Sequence, residues 1–219
     1  MGVIKVKGLG SVKVKPDIIE FNLNFNVRDK KYDIAVDNEV KNVNKLYDIL
    51  DENNIDKEKF KTINYSVRPY YVTKEIGIVE KKTERVFAGY EVVRTASLEI
   101  ALDLKQMEKL IYNCENLGIK TTYNFSVLDK ESAKKEAMKK AYNNAYEKAM
   151  LLAEVSGVEL NGYEEISYEV PYTYNTYSRT GIMAKEKGLS IESSFSLAET
   201  FNIDDIEFQE NIYVVWNVK

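Results

Sequence analysis

The chain of 219 residues, 44% hydrophobic and 30% charged, is long enough for one large domain or two small ones and has the balance of a soluble globular protein. It has no histidine and one cysteine, Cys114, so composition excludes Ser-His-Asp and Cys-His triads, His-ligated zinc or iron, an intrachain disulfide and a CxxC redox pair. Its 31 basic and 35 acidic side chains give a net charge of −4, without the basic excess of a nucleic-acid surface, and no run approaches the roughly 18 apolar residues that span a bilayer.

Ile4, Val6, Val12 and Val14 alternate with lysines and predict a first strand, in which Gly8 and Gly10 suggest a bulge or a close backbone approach. Without a third glycine and a following helix they do not form a dinucleotide loop. Pro16-Asp17 marks a turn. Ile19, Phe21, Leu23, Phe25 and Val27 then alternate with Glu20, Asn22, Asn24, Asn26 and Arg28, predicting a strand buried on one face. A helix is expected from about Tyr32 to Asn53, with Val36, Val40, Val43, Tyr47 and Leu50 as its apolar stripe.

Ile63, Tyr65 and Val67 predict the next strand, ending at Pro69-Tyr70-Tyr71. The charged stretch 74–85 reads as an exposed hairpin tip before a return strand through Tyr90, Val92, Ala96, Leu98, Ile100 and Leu102. Asp103 is the expected N-cap of a second helix, with Gln106 in capping-box position and Leu104, Met107, Leu110, Ile111 and Cys114 on its apolar face. Tyr123, Phe125 and Val127 follow as a strand.

The longest helix is expected between the N-cap Asp129 and the C-terminal stop Gly157. Ala133, Ala137, Ala141, Ala145, Ala149 and Ala153 recur every four residues along it, a ridge that drifts about 40° per step and lets another element approach closely. That element is either the sheet or a second subunit. A strand at Ile166, Tyr168 and Val170 precedes an irregular Tyr/Ser/Thr-rich segment, about 171–205, and Ile212, Val214, Trp216 and Val218 predict a closing strand. The expected class is α+β: a mostly antiparallel sheet with three helices, one long and Ala-rich, packed on one face, with a partial internal βαβ repeat. No linker divides the chain, so 1–219 reads as a single domain.

Several of these pieces together resemble the SIMPL-domain family, which includes periplasmic immunogenic antigens and proteins linked to oxidative-stress defence. They are the opening from Val6 to Asp17 with its glycine pair and proline, Asn54-Ile55, the run Thr62 to Tyr71, Gly89-Tyr90, the helix Ala137 to Gly157 and the strand Ile212 to Val218. Two features depart from the family pattern: Asp204-Asp205-Ile206 stands where Pro-Gly often precedes the last strand, and no export signal is present. The resemblance implies an α/β domain without an assigned reaction, linked to the cell envelope and stress, some of whose members form ring-like or multi-subunit assemblies. It supplies no catalytic residues to carry over.

The function read from the sequence is therefore a non-enzymatic binding or self-assembly module, a homo-oligomer with no cofactor, no metal, no nucleic acid and no transmembrane segment. Its expected contact surface is Tyr172, Tyr174 and Tyr177 with Ala141 and Ala145 of the alanine ridge. The alternatives are a carboxylate-based hydrolase, for which Asp204-Asp205 is a weak signal, and an oxygen-ligand metal site. Cys114 is expected to be a buried hydrophobe rather than a redox sensor. A complete sequence opening on a strand, with Val6 breaking the myristoylation pattern after Gly2, is expected in the cytoplasm; one that had lost a signal peptide would belong to the cell envelope.

Overall fold

The computed structural model describes residues 2–76, 82–168 and 201–219. They form the elements in the expected order: β1 (Gly2–Val14), β2 (Ile18–Asp29), α1 (Tyr32–Glu52), β3 (Phe60–Ile76), β4 (Lys82–Ala101), α2 (Leu104–Asn116), β5 (Lys120–Ser126), α3 (Lys130–Ser156), β6 (Leu160–Ser167) and β7 (Ile206–Val218). The fold is α+β. Its strands divide between two antiparallel sheets, ordered β1-β7-β6 and β3-β4-β2-β5. The chain divides in the same way into two compact units. The described residues of one are 2–16, 127–168 and 204–219; those of the other are 17–76, 82–126 and 201–203.

In the first unit α3 lies on the three-stranded sheet, and the glycine pair and the alanine ridge prove to be two halves of one contact. Gly8 and Gly10 face α3, where Ala137, Ala141 and Ala145 are fully buried. A Cβ on Gly8 would fall inside the Ala141 carbonyl oxygen and 2.8 Å from the Ala145 Cβ; on Gly10 it would strike the Ala137 carbonyl oxygen. Missing side chains on the strand and methyl groups on the helix thus let the two backbones touch. Val6, Ile212, Val214 and Trp216 fill the remaining core beneath α3. The helix also closes the open edge of β1, since Asn144 Oδ1 accepts from the Leu9 N–H at 3.1 Å and Lys148 Nζ donates to the Lys7 carbonyl at 3.0 Å. Asp129 caps α3 by accepting from the Ser132 N–H, and Gly157 ends it at φ 67°, as expected.

In the second unit β2 turns Ile19, Phe21, Leu23 and Phe25 into a core shared with Leu46 and Leu50 of α1, Leu98 of β4 and Met107 and Leu110 of α2. Asp103 caps α2, accepting from the Lys105 and Gln106 N–H groups; the Gln106 side chain reaches the Asn53 carbonyl instead of closing a capping box. The α1 stripe differs from the expected one. The buried set is Ala35, Glu39, Val43, Leu46 and Leu50, whereas Val40 is 44% exposed. The helix is rotated by Glu39, whose carboxylate is fully buried and held by Arg94 of β4, with Nε donating to Oε1 at 2.6 Å and Nη2 to Oε2 at 3.2 Å. In the stretch 74–85, β3 continues to Ile76 and pairs antiparallel with β4 from Lys82, as in a hairpin, and 77–81 lie outside the described residues. Pro69 is tolerated inside β3 because β3 is an edge strand.

Candidate functional site

β2, β4 and β3 are in register so that Arg28, Glu91 and Arg68 stand side by side across three strands. All three lie on the face opposite the helices, where β2 carries its polar alternates. Arg28 donates Nε and Nη2 to Glu91 Oε1 at 2.8 and 2.6 Å. Arg68 donates Nε to Oε2 at 2.8 Å, with Nη2 at 2.7 Å, and Asn26 adds its amide at 3.1 Å. Burial alone pushes the Glu91 carboxyl up; the hydrogen bonds from Arg28, Arg68 and Asn26 outweigh it and hold the group below its ordinary value. Glu91 is therefore a fixed carboxylate at neutral pH, an anchor for two guanidiniums and not a proton donor. The two arginine side chains remain 49% and 64% exposed, and Arg28 stacks on the Tyr70 ring at 4.0 Å.

Just past this row β2 ends at Asp29, and β3 and β4 run on as a two-stranded arm, 71–76 against 82–87. An aromatic ladder climbs onto it from α1. Tyr32 meets Tyr90 at 5.6 Å, Tyr90 meets Phe87 at 5.5 Å, and Phe87 meets Tyr71 at 5.8 Å, all edge to face. Arg85 lies over Tyr71 at 4.8 Å. Tyr32, Phe87 and Tyr71 are 54%, 49% and 42% exposed, a large apolar area for a ribbon that nothing else covers among the described residues.

In the first unit an exposed tyrosine is bonded to a buried carboxylate. Tyr168 donates its hydroxyl to Glu210 Oε2 at 2.7 Å, and that bond, then burial, raises the phenol above its ordinary value. The proton is locked in place. Cys114 is fully buried and burial pushes its thiol up to about 11, so it behaves as the small hydrophobe the sequence predicts. Among the described residues no group of three or more Cys, Asp or Glu is placed to hold a metal ion, and no helix is long and apolar enough to cross a membrane.

Of the contact residues read from the sequence, Ala141 and Ala145 are fully buried against Gly8 and Gly10 of their own chain, so the close approach they permit is taken up inside the unit. Tyr172, Tyr174 and Tyr177 lie outside the described residues. Asp204 and Asp205 precede β7 in an exposed position. The Arg28–Glu91–Arg68 row and the ladder were not read as a site. Arg28 is legible as a polar-face residue and Arg68 lies in the Thr62–Tyr71 run, but only the register of three strands aligns them with Glu91.

No curated protein matches the chain. A family model described as "SIMPL: Protein of unknown function (DUF541)" matches residues 4–216, from the first strand, with its glycine pair, to the Trp216 strand that completes the same sheet. With nearly its whole length matched, the chain belongs to the SIMPL family.

Proposed function

We propose that this SIMPL protein acts by binding and self-association rather than by catalysis, and that the β3–β4 arm is its contact element. The observation that carries this reading is the arm itself: a two-stranded ribbon that pairs with no further strand among the described residues, with Tyr71 and Phe87 exposed on it and Tyr32 of α1 exposed at the foot of the ladder. An isolated ribbon is marginally stable in water, and three or more strands or a covering surface are what normally stabilise one. Rigid tyrosine and phenylalanine side chains give contact area at low entropic cost. The ionisable groups in the polar clusters support the same reading, because Glu91, Glu39 and Tyr168 are each tied into fixed bonds that give them structural work. Family membership supports a link to the cell envelope and to stress responses.

The test is size-exclusion chromatography with light scattering at high micromolar concentration, on the native chain and on Tyr71→Glu/Phe87→Glu. The native chain is expected to run as an oligomer and the variant, with an unchanged circular dichroism spectrum, as a monomer. A native chain that stays monomeric removes self-association, and a variant that stays fully oligomeric removes the arm as its contact.

A further inference from the structure

We propose that the recess at the junction of β2 and α1 binds a small anion whose head group is a phosphate or a carboxylate. The recess has a volume of about 490 Å³ and its polar lining is Arg28, Asp29, Lys30, Lys31 and Tyr70, with Ile34 of α1 closing one side. This chain is acidic overall, yet here the charge is reversed. Among the described residues, Arg28, Lys30, Lys31 and the neighbouring Arg68 stand against Asp29 and Glu91, with Asp33 beyond the lining, so positive charge is in excess by one.

The available donors can be named. Arg28 spends Nε and Nη2 on Glu91 and leaves Nη1 without a protein partner among the described residues. Among the described residues neither Lys30 nor Lys31 forms an ion pair there. Asp29 is already engaged, its Oδ1 accepting from the Lys31 N–H at 3.0 Å. Asp33, in the first turn of α1, tempers the field without lining the recess.

The arginine is held before any ligand arrives. Glu91 grips its inner edge and the Tyr70 ring supports its face at 4.0 Å, so little side-chain entropy remains to be lost on binding. The turn that carries Asp29 and Lys30 is also packed from behind its backbone. Gly89 of β4, at φ 139°, lies against the β2–α1 turn, where a Cβ would meet the Asp29 carbonyl and come within 2.9 Å of Lys30 Cα. A clamped guanidinium beside two lysines that form no ion pair among the described residues matches the demands of a compact oxyanion. The reading does not depend on self-association through the arm.

The probe is sodium pyrophosphate, titrated at constant ionic strength into the ¹⁵N-labelled full chain, with citrate as a parallel arm. Expected is a saturable shift of the amides of residues 28–34 and Tyr70. Lys30→Glu/Lys31→Glu should weaken binding at least tenfold, Lys30→Ala and Lys31→Ala each by less, and Lys135→Glu/Lys139→Glu on α3 by no more than twofold. Saturation by only one of the two anions identifies the head group and supports the site. Saturation by neither, shifts spread over lysines throughout the chain, or equal weakening by the α3 variant overturns it. An acidic peptide that saturates the same amides at least tenfold more tightly than either anion also overturns it, in favour of a protein partner.

Discussion

Gly10→Ala tests the central contact of the first unit. The added methyl would point at α3 and lie 2.9 Å from the Lys140 carbonyl carbon, and it would strike the Ala137 carbonyl oxygen and the Ala141 N–H group from closer still. Ordinary carbon contacts sit at about 3.5–4.0 Å, so α3 must retreat by about 1 Å or β1 must buckle. Neither neighbour is the end of a flexible side chain; both are helix backbone. Overpacking costs about 1–3 kcal/mol, and contact with rigid backbone places this site at the upper end. For a chain of this size that corresponds to a fall in Tm of about 5–10 °C. The only tryptophan, Trp216, packs under α3 against Tyr142 and Tyr146, at 6.3 and 5.5 Å, and its fluorescence reports this unit directly. Cys114 in the second unit provides an independent reading through thiol labelling. Expected is a lower Trp216 midpoint in Gly10→Ala and no such change in Ser11→Ala, whose side chain is exposed on the other face of β1. A Gly10→Ala protein that melts within 1 °C of the native chain would refute the close-packing argument.

Glu39→Ala strands the Arg94 guanidinium over the core and should cost about 3–5 kcal/mol in urea unfolding, while Glu39→Leu/Arg94→Leu should recover most of the loss; equal destabilisation of both would contradict this account. Glu91 is held below its ordinary value of 4.5, so its contribution is complete above that pH and fades as pH falls through the folded-state value. The urea midpoint should therefore drop below about pH 4.5 and drop less steeply in Glu91→Gln; parallel slopes would show that Glu91 is not the group responsible. Native Cys114, with its thiol near 11 and no exposed surface, should react with a thiol reagent at pH 8 about 100-fold more slowly than in urea. Complete labelling of the native chain within minutes would show the thiol accessible.

Signals whose causes are local are legible from the chain alone. Asp103, Asp129 and Gly157 cap their helices through bonds spanning two to four residues, and alternation in β2 and β7 needs only the pleat of one strand. Readings that depended on a distant partner went astray. The α1 stripe was taken from apolar spacing, but Arg94, 55 residues away, draws Glu39 inward and turns Val40 outward. The charged stretch 74–85, by contrast, reads as a hairpin tip from its own residues, and its described part pairs as a hairpin, 74–76 against 82–84.

By itself the sequence determined the α+β class, the order of elements, the buried Cys114 and the likeness to SIMPL proteins. All of these follow from composition, from periodicity and from motifs contiguous in the chain. Tertiary structure alone decided that the strands form two sheets, that the glycine pair and the alanine ridge are one contact, and that Arg28, Glu91 and Arg68 share a row. Each of these depends on which backbone lies beside which, and that is set by strand register and helix docking between segments far apart in the chain.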